Sequence, residues 1–169
     1  MTDKVTERER FIMQARLKNP AVLVSDAMQP LMALGKIAYM GGKIPPKTLG
    51  IVHVRVSQIN GCAACLDMHH RQDQANVKRG AEADDRLLFV SAWREHPSFN
   101  DAERAALALA EAETRLADHG TGVSDEVWNE AARHYDDQAL ATLVLFIGMV
   151  NLYNRMNVTT RQVPGQEEW

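Results

Sequence analysis

The stretch Ser57-Gln58-Ile59-Asn60-Gly61-Cys62-Ala63-Ala64-Cys65-Leu66-Asp67-Met68-His69-His70 holds both cysteines of the chain and two of its six histidines. Two thiols separated by two residues can close a disulfide when the turn between them brings the sulfurs together, and so short a loop costs little chain entropy. Gly61 can end an incoming element, and residues 63 to 78 contain neither Gly nor Pro, so the pattern predicts a new helix with Cys62 at its start. The free amides and positive dipole end of a helix favour thiolate over thiol, and thiolate is the nucleophile toward peroxide or disulfide sulfur. On that argument alone Cys62 is the more acidic thiol. Cys65 and His69 are four residues apart, so the imidazole shares a helix face with the thiol and is placed to take or relay its proton.

Working outward, Leu49, Ile51, Val52, Val54, Val56 and Ile59 form an apolar, largely β-branched run that local propensity alone reads as a strand. Pro45-Pro46 before it suits a first helical turn equally well. Residues 4–18 have the charge and partial apolar face (Phe11, Ile12, Ala15, Leu17) of a helical arm ended by Asn19-Pro20. Residues 21–40 repeat apolar positions at helical spacing, with Pro30 starting or bending the run and Gly41-Gly42 ending it. Met28, Met32 and Met40 on that helix read as core filler or as an adaptable lining. A short helix is expected from Asp84 to Arg94, with Leu87, Leu88, Val90 and Trp93 apolar. Asn100-x-x-Glu103 has the spacing of a capping box for an alanine-rich helix to about Leu116, and Ser124 can cap another to about Tyr135. From about Asp137 to Met156, Leu140, Leu143, Val144, Leu145, Phe146, Ile147, Met149, Val150 and Leu152 leave almost no polar face. That helix is expected to be buried all round, as a central bundle helix or at a subunit interface, and too short to cross a membrane.

The pattern Asn60-Gly61-Cys62-x-x-Cys65-x-x-x-His69, preceded by Arg55-Val56-Ser57-Gln58, resembles the active-site signature of the alkylhydroperoxidase D and carboxymuconolactone decarboxylase family. It is similar to the redox branch, which keeps both cysteines. Weaker likenesses at Ser98 to Glu113 and at Asn151-Leu152-Tyr153-Asn154-Arg155 extend the match to roughly residues 25 to 160. The resemblance implies an all-α helical bundle that assembles into homo-oligomers, trimers or hexamers, and it decides for helix over residues 47–60. It also implies peroxide reduction in antioxidant defence: Cys65 attacks a hydroperoxide, Cys62 resolves the product as a disulfide, and an external dithiol, a lipoyl-bearing protein or a peroxiredoxin being the implied partner, exchanges electrons with the pair. His69 carries the proton relay. The family's relay glutamate falls at Gly50, which has no side chain to orient an imidazole. His53, one turn on, is the candidate substitute, and Asp73 is a carboxylate four residues beyond His69. Ala64 stands where the family often has an aromatic residue or a histidine, making the pocket less polar.

Composition bounds the remaining possibilities. The chain has 169 residues, 46% hydrophobic and 24% charged, and is expected to form one domain over 1–169, with residues 1–20 an N-terminal arm and 160–169 a tail. A net charge of -3 makes no electrostatic case for nucleic acid or an anionic membrane. The charged N-terminus lacks a signal-like apolar core, so the expectation is a cytoplasmic protein, where a lone CxxC points to catalysis or metal binding rather than a permanent staple. Cys62, Cys65, His69 and His53 have donor types suited to zinc, but a second CxxC is lacking, and no metal or other cofactor is expected. Neither a phosphate-binding glycine loop nor Gly-x-Ser-x-Gly is present. Two further readings stay open: a lyase acting on a lactone acid, as in the decarboxylase branch, and a dithiol sensor with little turnover. His70, His96, His119 and His134 read as structural or solvated.

Overall fold

Pro46 and Gly61 bound the helix on which the molecule is built. The computed structural model describes residues 14–41, 44–118, 120 and 122–166, and the elements used here are helices: α1 (Pro20–Leu23), α2 (Met28–Met40), α3 (Pro46–Asn60), α4 (Ala63–Lys78), α5 (Asp101–Thr114), α6 (Asp125–His134) and α7 (Asp137–Thr160). Proline opens α3, where its missing N–H has no helical partner to lose. Gly61 closes it at φ 66°, a left-handed conformation that a Cβ would strain. Immediately beyond, the Cys62 N–H donates to the Ser57 carbonyl at 2.9 Å, completing the helix end and launching α4.

The β-branched run of α3 is helical because both of its flanks are buried. Leu49, Val52 and Val56 pack with Ala105, Ala106, Leu109 and Ala110 of α5 and with Leu143, Phe146, Ile147 and Val150 of α7 in one core. Ile51 and Val54, on the other flank, pack with Val90, Trp93, Phe99 and Leu107. Burying each large apolar side chain contributes roughly 1.5–3 kcal/mol, several times the penalty for a β-branched residue in a helix. The alanines of α5 keep that helix thin enough to lie between its neighbours.

The caps follow the sequence. Asn100 accepts from the Glu103 N–H at 2.9 Å while Glu103 accepts from the Asn100 N–H at 3.1 Å, the capping box of α5. Ser124 and Asp136 cap α6 and α7. Tyr135, at the corner between them, donates its hydroxyl proton to the Ala102 carbonyl at 2.8 Å.

Four expectations are corrected. Residues 84–94 do not form an α-helix but two 3₁₀ turns, Asp85–Leu88 and Val90–Ala92, with Leu88 fully outward at 77% exposure. Contacts with α5 set both ends of the stretch: Arg86 bonds Asp84 and Glu103 at its start, and the Arg104 guanidinium donates to the carbonyls of Trp93, Arg94, His96 and Phe99 at 2.6–3.0 Å in the loop that follows it. Most of the predicted 4–18 helix lies outside the described residues, but residues 14–18 are not helical. They run beside the end of α7, the Arg16 N–H donating to the Thr160 carbonyl at 2.8 Å and Gln162 to the Leu17 carbonyl at 2.9 Å. Met32 and Met40 are not core filler, being 66% and 76% exposed on the outer side of α2. Finally, α7 runs to Thr160 and is not buried all round, because Leu145 and Leu152 are exposed. Its 24 residues are long and apolar enough to cross a membrane, contrary to the length argument, but half of its most apolar window is buried inside the protein, as in a core bundle helix.

Candidate active site

Cys62 is the N-cap of α4, and its Sγ accepts the Cys65 N–H at 3.3 Å. The two cysteines are joined as a disulfide, with Cα atoms 5.4 Å apart and both side chains buried. The first turn of a helix provides that separation without moving the backbone, so the pair can open and close locally.

His69 lies one turn along α4, half-buried, with the edge of its ring against His53: the ring centroids are 4.0 Å apart and the planes 72° inclined. His53, from the middle of α3, is buried and hydrogen-bonded through Nδ1 to the Tyr39 hydroxyl at 3.1 Å. The Tyr39 ring in turn stands edge-on to Phe146 of the core, with centroids 4.9 Å apart. Burial pushes His69 down to about 4, and burial reinforced by His69 holds His53 well below the ordinary histidine range. Both rings are therefore neutral at pH 7, and the Nε2 atoms of both are buried without a hydrogen-bond partner. Burial also pushes Tyr39 up to about 12, so its phenol stays protonated.

At Gly50 an added Cβ would meet nothing within 4 Å, so the helix leaves open space at that position. The structure sets His53 against His69. No hydrogen bond joins Asp73 to His69 among the described residues. His70 is exposed, His96 stacks on Phe89 at 4.2 Å, His134 pairs with Glu130, and His119 lies outside the described residues. Among the described residues no group of three or more His, Cys, Asp and Glu side chains is placed to hold a metal ion.

Sequence reasoning missed the groups that touch the sulfurs. Asn154 donates to Cys65 Sγ at 3.0 Å and to Ser57 Oγ at 3.1 Å, and Asn157 donates to Cys65 Sγ at 3.3 Å. From behind, Asn19 donates to Asn157 and Asn60 to Asn154, and Asn60 also donates to Asn151. The available signal was Asn151, Asn154 and Asn157, three identical polar residues recurring every third position along one side of an otherwise apolar helix. Tyr39 carried no such mark.

The chain matches the description "Carboxymuconolactone decarboxylase family" over residues 25–112, just over half of its length. The chain belongs to the carboxymuconolactone decarboxylase family. Two relatives align over most of this family member: uncharacterized protein YdfG of Bacillus subtilis (strain 168), 34% identical over 66% of this chain and 71% of its own length, and uncharacterized protein YnjA of Escherichia coli (strain K12), 32% identical over 80% and 70%. Among solved structures, ATU0492 of Agrobacterium tumefaciens, a protein of unknown function assigned provisionally to antioxidant defence as AhpD, superposes with a TM-score of 0.78 at 28% identity, covering 91% of this chain and all of that one. The all-α fold is thus the alkylhydroperoxidase D-like fold, and this member of the family carries the CxxC pair as Cys62 and Cys65.

Proposed function

We propose that the protein is a thiol-dependent peroxidase that reduces organic hydroperoxides through a Cys62/Cys65 dithiol–disulfide cycle. The observation that carries this reading is the disulfide at the N-terminus of α4, with the neutral His69 imidazole one turn along the same helix. Cys65, its proton passed on through a relay that includes His69 and a water, attacks as thiolate the distal oxygen of the hydroperoxide. The O–O bond breaks, the thiolate sulfur is oxidised to sulfenic acid, and the alkoxide takes a proton to leave as alcohol. Cys62 then attacks the sulfenic sulfur; hydroxide departs, is protonated to water, and the disulfide forms. An external dithiol such as a dihydrolipoyl group returns two electrons and two protons and is itself oxidised to the disulfide. His53 and Tyr39 form the hydrogen-bonded pair behind His69 in place of the carboxylate that Gly50 lacks.

The test is consumption of cumene hydroperoxide under excess dihydrolipoamide. One alcohol released per dithiol oxidised is expected over many turnovers. Free thiols with no turnover would overturn the peroxidase reading, and conversion of a lactone acid by the same sample would put the lyase in its place.

The working unit is proposed to be a homo-oligomer. α2 and α7 leave Met32, Ile37, Met40, Leu145 and Leu152 uncovered on one chain, large apolar groups that a subunit contact would remove from water. Light scattering is expected to give the mass of three or six chains, and Leu145→Asp to reduce it, since a carboxylate cannot be buried unpaired. A native protein with the mass of one chain sinks the proposal.

A further inference from the structure

Asn154 and Asn157 stand three residues apart on the buried side of α7, and both point their amide nitrogens at the disulfide. An asparagine can present oxygen or nitrogen in a given direction, and its partners decide which. The orientation of Asn154 is fixed, through two other asparagines, by a backbone carbonyl. Ile147 O can only accept, so the Asn151 group 3.0 Å from it is Nδ2 and the Asn151 oxygen is turned away. That oxygen accepts from Asn60 Nδ2 at 2.9 Å, and Asn60 Nδ2 also donates to Asn154 Oδ1 at 2.9 Å. With its oxygen so engaged, Asn154 presents Nδ2 to Cys65 Sγ at 3.0 Å.

Asn157 is fixed from the other side. The Ala21 N–H can only donate, so the Asn19 atom 2.9 Å from it is Oδ1, and the free end of Asn19 is Nδ2. This donates to Asn157 Oδ1 at 3.0 Å, which leaves Asn157 Nδ2 facing the sulfurs, 3.3 Å from Cys65 and 3.9 Å from Cys62. Asn19, Asn154 and Asn157 are all buried, so water does not compete for these bonds.

Disulfide sulfur is a weak acceptor and gains little from two amide donors. A thiolate is a full charge, for which such bonds are short, strong and hardly screened. The two donors converge on Cys65, whereas Cys62 receives only the distant end of Asn157 and the Cys65 N–H. We propose that Asn154 and Asn157 form an amide cradle that holds Cys65, rather than Cys62, as thiolate and so makes it the attacking thiol, with Asn19 and Asn60 as the positioning residues that turn the two amides toward it. This deepens the dithiol reading and rests on it for the meaning of "attacking", but ionisation of a single thiol can be followed in a protein that never turns over. Failure of the cradle and failure of the peroxidase are therefore separable.

The experiment titrates the ultraviolet absorbance of the thiolate in two single-cysteine proteins, Cys62→Ser and Cys65→Ser, against the double-serine protein as blank. In Cys62→Ser, adding Asn154→Ala or Asn157→Ala is expected to move the midpoint for Cys65 upward by about one pH unit, a loss of about tenfold in the ionisation constant. Asn19→Ala, whose side chain touches neither sulfur, is expected to move it in the same direction by less, through Asn157. In Cys65→Ser the same substitutions should move the midpoint for Cys62 far less. Should either substitution under Cys65 prevent folding, Asn19→Ala and Asn60→Ala carry the test. A Cys65 midpoint that stays in place, or that moves no more than that of Cys62, overturns the assignment.

Discussion

Replacing Cys65 by serine is expected to lower peroxide turnover by on the order of a thousandfold or more, with no stoichiometric burst of alcohol, whereas Cys62→Ser should give one burst and then stop. The two outcomes differ because the cysteines do different work in the proposed cycle. Without Cys65 there is no sulfur to take the distal oxygen, and a serine hydroxyl at that site is too weak a nucleophile to replace it. Without Cys62 the first step proceeds, one alcohol leaves per subunit, and the sulfenic acid at Cys65 has no neighbour to close on. Excess dithiol can rescue that variant slowly by attacking the sulfenic acid directly, while excess peroxide carries it to sulfinic acid and ends its activity. Rapid-quench measurement of alcohol at less than one equivalent of peroxide distinguishes the variants. A burst in Cys65→Ser and none in Cys62→Ser would reverse the roles and return the first attack to the helix-terminal thiol.

The sequence made the thiols legible because their signal is local. Gly61, the CxxC spacing and the i,i+4 histidine lie within nine residues, and the structure reproduces the helix end, the N-cap and the new helix that they specify. The caps of α5 and α6 were legible for the same reason. What local pattern could not supply was anything made by two distant segments meeting. The carbonyls of residues 93, 94, 96 and 99 are gathered by Arg104, from the helix that follows them, and Arg86 is tied to Glu103 of the same helix. Tyr39 reaches His53 across fourteen residues, and the asparagines reach the sulfurs across about ninety. The strand-like run in α3 shows the limit in the other direction: its composition favours a strand, but burial on two flanks outweighs that preference by several kcal/mol. For α7 the apolar pattern located the core helix correctly, and its outward residues are those the pattern could not tell from inward ones.

Oxidised protein is expected to lose stability steeply as pH falls from about 6.5 toward 4, and the two histidines set that window. In the folded protein His69 is pushed down to about 4 and His53 lies well below its ordinary value, while in the unfolded chain both take a proton near 6.5. Between those limits the unfolded state binds more protons than the folded one, so the stability present above pH 6.5 is lost on acidification. For His69 alone the displacement corresponds to about 3 kcal/mol by the time its folded value is reached, a large part of the 5–15 kcal/mol typical of a domain. Glu113 works against this. Burial raises it to about 7, so from pH 7 down to about 4.5 the folded state gains a proton before the unfolded one and is stabilised. Its partial exposure weakens that effect, and one carboxyl opposes two imidazoles. Asp84 is held below the ordinary carboxylate range by its bond to Arg86, and Glu111, which burial alone would raise, is held below it by bonds from Arg94, Trp93 and Arg55, so their contribution disappears only at lower pH. Urea denaturation at pH 7.5 and pH 4.5 should show a clear net loss at the lower pH, a smaller loss in His69→Asn, and a larger loss in Glu113→Gln. Equal stability at both pH values, or an unchanged loss in His69→Asn, would mean that the buried rings do not titrate as their surroundings dictate.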